Sequence, residues 1–222
     1  MSSVNQILYT LSSISNYFPI IPLIYLYNKI NKGFKIYLLV LVLGSTNDLL
    51  GYAKSILGFH FDYMFIIDIY EILNFGLLLY FFCIINNNKH IEKYFITFLI
   101  GLIVQYIDWF YITRFKYNTI YATVFYYSVF SFLSFDRINY QIINTKKTNH
   151  KIDWLLLFFI TICIYYSYAL FTLSLYCLNI PLNIKIEPSL YYILNMVNIF
   201  TNISLAIILI KYFKTQKHNF LI

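Results

Sequence analysis

Long apolar runs separated by short polar breaks make up most of this chain. Crossing a hydrocarbon core of roughly 30 Å takes about 20 residues of α-helix. Seven windows meet that requirement, at residues 7–28, 36–57, 63–85, 92–113, 118–141, 153–178 and 188–211. The pattern predicts an all-α fold, in which residues 1–222 form a single domain, a transmembrane bundle of seven helices.

The first predicted span differs from the others because it contains Pro19 and Pro22. Proline lacks a backbone donor, so these positions predict a bend. The span has no basic stretch before it and no small-residue cleavage site after it, which indicates a retained helix rather than a signal peptide.

Composition supports a membrane protein, with 60% hydrophobic, 22% aromatic and 11% charged residues. The polar segments between the spans are too short for a kinase, cyclase or DNA-binding module, so we expect any intracellular output to require a partner. A net charge of +7 is explained by basic flanks facing anionic lipid. The chain has no basic stripe that would indicate nucleic acid binding.

The basic residues predict the orientation, because cytoplasmic flanks collect lysine and arginine. With seven crossings, one side holds Lys29, Lys32, Lys35, Lys89, Lys93, Arg137, Lys146, Lys147, Lys151, Lys211, Lys214 and Lys217. The other side holds Lys54, Arg114, Lys116 and Lys185. This distribution predicts an N-terminus outside and a C-terminus inside, in the cytoplasmic membrane. Trp109 and Trp154 lie near span ends, as in an interfacial aromatic belt.

Polar and small residues recur within the spans at the spacing of one helix face. Such faces are costly against lipid, so we expect them to line the interior of the bundle. Four examples are Thr97, Gly101, Gln105, Asp108 and Tyr111; Thr123, Tyr127, Ser131 and Ser134; Thr161, Tyr165, Tyr168 and Thr172; and Tyr191, Asn195, Asn198 and Asn202.

Among the acids within the spans, Asp48, Asp68, Glu71 and Asp108 together predict a functional site, because intramembrane carboxylates are rare and costly. Counting residues along the predicted spans places most of them in the outer half of the bundle. We therefore predict an acidic cavity that opens outward and binds a small cation, an amine or a polar lipid. Its predicted lining is Asp48, Asp68, Glu71, Gln105, Asp108, Tyr165, Tyr168, Asn195 and Asn198. For any one of the uncharged residues, an ordinary interhelical hydrogen bond is the alternative.

No cofactor, metal or catalytic residue is predicted. The four histidines all lie outside the predicted spans, which argues against a histidine-rich zinc site. The last span has no lysine between Glu187 and Lys211, which argues against a retinal Schiff base, and the three cysteines lack metal-ligand spacing. The sequence FDRINY, residues 135–140, ends the fifth span, where we expect its Asp–Arg pair to be solvated.

Three stretches carry a resemblance: YLYNKINKGFKIYLLVLVLGSTNDLLGY, IYEILNFGLLLYFFCII and YYILNMVNIFTNISLAIIL. Together they resemble an uncharacterised family of small bacterial seven-helix membrane proteins. The resemblance implies the same topology and a role as an accessory protein of signalling operons, often near sensor kinases. It also implies that Asp48 and Glu71 correspond to the acids of that family.

Three functions remain open from the sequence. A sensor or regulatory accessory protein would pass a signal to a cytoplasmic or membrane partner. An intramembrane lipid-modifying enzyme would use Asp68 and Glu71 as acid and base. A channel, transporter or membrane effector of phage defence would use the acids as a cation path.

Overall fold

The structure of the protein is a computed structural model that describes residues 3–57, 63–113, 119–145, 153–177 and 186–219. The regular structure in these ranges is entirely helical, which confirms the all-α prediction. The helices are α1 (Ser3–Ser15), α2 (Tyr17–Tyr25), α3 (Lys32–Leu57), α4 (Tyr63–Ile85), α5 (Ile91–Ile107), α6 (Ile120–Thr145), α7 (Trp154–Cys177) and α8 (Ile186–Asn219), with a π-helical turn (Asp108–Ile112) directly after α5.

Six helical segments are long and apolar enough to cross a membrane, which indicates a multi-pass membrane protein. They cover Ile7–Tyr25, Lys32–Gly51, Phe65–Ile85, Ile91–Ile112, Trp154–Leu175 and Tyr192–Thr215. Helix α6 matches the predicted fifth span in position, but it is not one of these six. Its polar positions lower its mean hydropathy, so a seventh crossing stays a prediction.

The helix break near the N-terminus lies at Asn16, between α1 and α2, rather than at a proline. Pro19 comes three residues later, and Pro22 lies inside α2. A proline ring excludes the carbonyl group four residues before it, which for Pro19 is the carbonyl of Ser15. The interruption of the helix therefore lies upstream of both prolines, and a bend at the prolines stays a prediction.

The chain divides into two compact units. The first contains residues 1–30 and 127–222, where α1 and α2 pack against α8 and α8 packs against α7. The second contains residues 31–126, where α3 and α5 each pack against α4. Phe75, Phe81 and Phe82 of α4 are fully buried in the core of the second unit.

Amide side chains of α8 join it to the N-terminal helices within the first unit. Asn202 Nδ2 donates to Asn16 Oδ1 at 2.6 Å and to Ser15 Oγ at 2.9 Å. Asn198 Nδ2 donates to Ser12 Oγ at 2.8 Å. Interhelical bonds of this kind are ordinary packing in membrane bundles. These hydrogen bonds connect the residues at the helix break, Ser15 and Asn16, to Asn202 in the middle of α8.

We predicted that both residues of the Asp–Arg pair in α6 would be solvated, and this prediction is wrong for Arg137. Asp136 is exposed, but Arg137 is buried. Its guanidinium lies 4.8 Å from the ring centre of Tyr140 and 5.7 Å from that of Phe159. Aromatic faces attract a guanidinium, so Arg137 is held against α7 within the first unit.

Candidate functional site

A close approach of α4 and α5 positions the acidic residues of the second unit. A Cβ atom on Gly101 would lie 2.3 Å from Cε1 of Phe75, so only glycine fits there. The Phe75 ring is stacked on Tyr126 of α6 at a centroid distance of 4.1 Å. This aromatic packing brings α4, α5 and the first turns of α6 together.

Asp68 of α4 is buried, and each of its carboxylate oxygens accepts a hydrogen bond. Trp109 Nε1 donates to Oδ2 at 2.8 Å, and Thr119 Oγ1 donates to Oδ1 at 2.8 Å. Hydrogen bonds to a carboxylate offset part of the cost of its burial. Asp68 thereby connects the π-helical turn to the residue that precedes α6.

Gln105 extends this hydrogen-bond chain into α5. Its Nε2 donates to Thr119 Oγ1 at 2.8 Å, and its Oε1 accepts from the Tyr126 hydroxyl at 2.9 Å. The side chain is only 1% exposed. Both ends of the amide are therefore occupied, which fixes its orientation.

Asp108, the first residue of the π-helical turn, caps the N-terminus of α6 from a neighbouring helix. Its Oδ2 accepts from the Ala122 amide at 3.0 Å, and the Tyr121 amide also bonds to the carboxylate. The first amides of a helix lack partners within the helix and attract negative charge. The hydroxyl of Thr119, which could otherwise serve as the cap, donates to Asp68 instead.

One oxygen of Asp108 remains without a donor. The residue is 0% exposed, and Oδ1 is a buried atom with no hydrogen-bond partner among the described protein groups. A buried acceptor in that state is costly unless a ligand, an ion or water meets it. This oxygen is the strongest local indication that the site accepts a further group.

Glu71 lies one helical turn after Asp68 and contacts the second turn of α6. Its Oε2 is 2.6 Å from Thr123 Oγ1, and the same hydroxyl is 2.8 Å from the Thr119 carbonyl oxygen. Glu71 is half-buried, in contrast to Asp68 and Asp108. It is therefore the most accessible of the three acids.

These side chains share one end of the second unit's helices, and we name them the acid cluster. Asp68 lies only a few residues after the start of its apolar segment, and Asp108 lies four residues before the end of its own. At 1.5 Å per residue, both lie within about 10 Å of the end of their apolar segments. The acid cluster consists of Asp68, Glu71, Gln105, Asp108, Trp109, Thr119, Thr123 and Tyr126.

The structure brings together four of the nine predicted ligand-binding residues: Asp68, Glu71, Gln105 and Asp108. Asp48 lies half-buried on α3 of the same unit. The other four belong to the first unit, where Asn198 bonds to Ser12. A single cavity that combines all nine stays a prediction. The four in the first unit are Tyr165, Tyr168, Asn195 and Asn198.

The predicted polar face of the fourth span is correct for Gly101, Gln105 and Asp108, which are buried, but wrong for Tyr111, which is 70% exposed. The π-helical turn is the reason. Its Thr113 amide bonds to the Asp108 carbonyl, five residues back. The wider turn rotates the residues after Asp108 away from the face that an α-helix would present.

Sequence reasoning missed three members of the cluster. Trp109 was predicted only as an interfacial aromatic, and Thr119 and Tyr126 were assigned no role. A signal was present, since Thr119, Thr123 and Tyr126 follow the spacing i, i+4 and i+7 of one helix face. That face lies beside the one formed by Thr123, Tyr127 and Ser131.

The described residues contain no group of three or more histidines, cysteines, aspartates or glutamates that could hold a metal ion. The acids of the cluster are spread over the hydrogen-bond network instead of converging on one point. The arrangement is suited to holding a proton or a singly charged group.

The fold and the acid cluster define a class: a helical, multi-pass membrane protein with ionisable residues in the ends of its apolar helices. Neither family models, nor curated proteins, nor solved structures give a match to the chain. The resemblance to small bacterial seven-helix proteins therefore stays a prediction.

Proposed function

We propose that the protein is a sensor or regulatory accessory protein of a bacterial cytoplasmic membrane, and that it acts through a separate signalling partner. The observation that carries this proposal is the acid cluster, in which three carboxylates contact the first turns of a single helix, α6. Ionisable residues within membrane segments are rare, and they usually belong to functional sites.

The proposed mechanism uses α6 as the element that transmits the signal. It is 26 residues long, which corresponds to about 39 Å, enough to cross the membrane. Its first residues belong to the second unit, and its remainder belongs to the first. A change of charge at the acid cluster would alter the hydrogen bonds between the three carboxyl groups and residues 119–123 at the start of α6. The signal would leave through the C-terminal end of α6, which Lys146, Lys147 and Lys151 follow in the sequence.

The distribution of basic residues supports a crossing by α6. Seven crossings place twelve basic residues on one side and four on the other. If α6 did not cross, every basic residue from Arg137 onward would change sides, and the counts would become ten and six. Natural membrane proteins collect basic residues on the cytoplasmic side, so the more uneven distribution favours seven crossings. With seven crossings, this rule favours an N-terminus outside and a C-terminus inside.

This topology predicts opposite labelling of the two loops that flank α6. In a variant without native cysteines, we expect a membrane-impermeant maleimide to label Lys116→Cys on intact cells and Asn149→Cys only after permeabilisation. Each position serves as the control for the other. Labelling of both positions from the same side would show that α6 does not cross the membrane.

Trp109 provides a native reporter for ligand binding, because its indole donates to Asp68. The only other tryptophan is Trp154, so Trp154→Phe leaves a single fluorophore at the site. In nanodiscs, we expect sodium or a quaternary amine to shift the Trp109 emission. The shift should be lost in Asp68→Asn and retained in Asp136→Asn, an exposed acid of α6 outside the cluster.

The same preparation tests the two competing functions. Release of ions from loaded vesicles, abolished by Asp108→Asn, would favour a channel or transporter. Turnover of a membrane lipid, abolished by Glu71→Gln, would favour a lipid-modifying enzyme. Absence of any Trp109 response to every probe and to pH would contradict a sensor role for the acid cluster.

A further inference from the structure

We propose that the acid cluster binds a proton, held by the Glu71 carboxyl against the Thr123 hydroxyl, and that this proton is the signal that the protein detects. The inference rests on the proposed sensor function and names its ligand. It follows from counting hydrogen atoms in the network around the three acids. Their surroundings differ in the number of donors that they offer.

Two of the acids are supplied with donors suited to a charged carboxylate. Asp68 accepts from an indole N–H and a threonine hydroxyl, one at each oxygen. Asp108 accepts from backbone amides at the N-terminus of α6, where the helix dipole favours negative charge. Neither carboxylate needs a hydrogen of its own to complete these bonds.

Glu71 shares its described donor, the Thr123 hydroxyl, with a second acceptor. Its described hydrogen-bond contact is with Thr123 Oγ1, at 2.6 Å, and that hydroxyl also lies 2.8 Å from the Thr119 carbonyl oxygen. A hydroxyl carries one hydrogen, so it donates fully to one acceptor. The carbonyl can only accept. Each of the two short contacts has its own hydrogen atom if the Thr123 hydroxyl donates to the Thr119 carbonyl and the Glu71 carboxyl donates its proton to Thr123 Oγ1.

The charges around Glu71 favour the same state. Its neighbours in the acid cluster are two further carboxyl groups, Asp68 on its own helix and Asp108 on the π-helical turn. Helix α6 contributes Tyr126, whose hydroxyl is engaged with Gln105. Helix α3, which packs against α4, carries the acid Asp48. Like charges disfavour a third carboxylate at this place, and a proton removes that repulsion.

Loss of the proton would act on α6 directly. It would leave Thr123 facing two acceptors with one hydrogen, and it would add a third negative charge beside Asp68 and Asp108. All three acids contact residues 119–123, so their mutual repulsion would be relieved by movement of the first turns of α6. Glu71 is half-buried and lies near the start of its apolar segment.

Infrared spectroscopy of the full chain in nanodiscs tests the proton itself. We expect the carbonyl band of a protonated, hydrogen-bonded carboxyl in the wild type, and we expect it to disappear at high pH. The band should be absent from Glu71→Gln and present in Asp48→Asn. Absence of the band in the wild type at every pH at which the protein is folded would overturn the proposal. Its persistence in Glu71→Gln would do the same.

A stability comparison provides a second test, because glutamine mimics a neutral glutamic acid. We expect Glu71→Gln to keep the melting temperature of the wild type and to abolish the pH-dependent shift in Trp109 emission. The matched substitution Asp68→Asn should lower the melting temperature clearly, since it replaces a charged acceptor. A loss in Glu71→Gln equal to that in Asp68→Asn, or a failure to fold, would overturn the proposal.

The two proposals can fail separately. If the infrared band belongs to Glu71 but no downstream change at α6 accompanies its loss, the proton site stands and the sensor function is wrong. If Trp109 responds to a cation or lipid while Glu71 holds no proton, the sensor function stands and the ligand is different.

Discussion

Replacing Asp108 with alanine is expected to lower the free energy of unfolding by about 3 kcal/mol, with a clear fall in the melting temperature in detergent. The substitution leaves the amides of Tyr121 and Ala122, of which Ala122 is buried, without this acceptor. Each orphaned amide costs roughly 1–3 kcal/mol. Removal of the unpartnered Oδ1 atom offsets part of this loss. The measurement is thermal or denaturant unfolding of the purified protein.

Two further variants make the Asp108 prediction specific. Asp108→Asn keeps an acceptor oxygen for the amides, so we expect a loss of only about 1 kcal/mol, in the range of a weakened helix cap. Asp136→Ala removes an exposed acid of α6, where changes usually stay within about 0.5 kcal/mol. Equal melting temperatures for Asp108→Ala and Asp136→Ala would show that the cap of α6 contributes nothing.

Replacing Gly101 with alanine should destabilise the protein by about 2 kcal/mol. The added Cβ atom would meet Cε1 of Phe75 at 2.3 Å, and this ring is fully buried and stacked on Tyr126. Overpacking of a core typically costs 1–3 kcal/mol, which exceeds the gain of about 1 kcal/mol in helix propensity. Separation of α4 from α5 should also disturb the emission of Trp109.

Gly44→Ala is the matched control for this substitution. A Cβ atom there would meet only the hydroxyl of Tyr70, at 3.3 Å, which is the far end of a side chain. We expect Gly44→Ala to be neutral or slightly stabilising. In the double variant Gly101→Ala with Phe75→Leu, the smaller side chain should recover part of the loss. If Gly101→Ala is as stable as Gly44→Ala, Gly101 and Phe75 do not pack as closely as the structure shows.

Much of the architecture follows from the sequence alone, because membrane helices must satisfy their backbone within one segment. Runs of apolar residues therefore predicted helices at nearly the observed positions. The polar spacing of Gly101, Gln105 and Asp108 predicted a buried face on α5 and its π-helical turn, and the structure confirms that face. The acids Asp68 and Glu71 were marked as members of a site for the same reason, the cost of charge in hydrocarbon.

The tertiary structure decided how these residues are used. The π-helical turn exposes Tyr111, because a wider turn changes the direction of the following side chains. The cap of α6 comes from Asp108, fourteen residues from Ala122 in the sequence, and no local pattern signals a cap supplied by another helix. Trp109 and Thr119 belong to the site because helix packing places them beside Asp68.

The sequence by itself determined the helices, the class of protein and the presence of costly acids, since all three depend on residue type and spacing along one helix. Only the tertiary structure decided which donor serves each carboxylate, and that Asp68, Glu71 and Asp108 bond to different residues of the same segment, residues 119–123. Those features depend on contacts between helices, which spacing within a single helix does not specify.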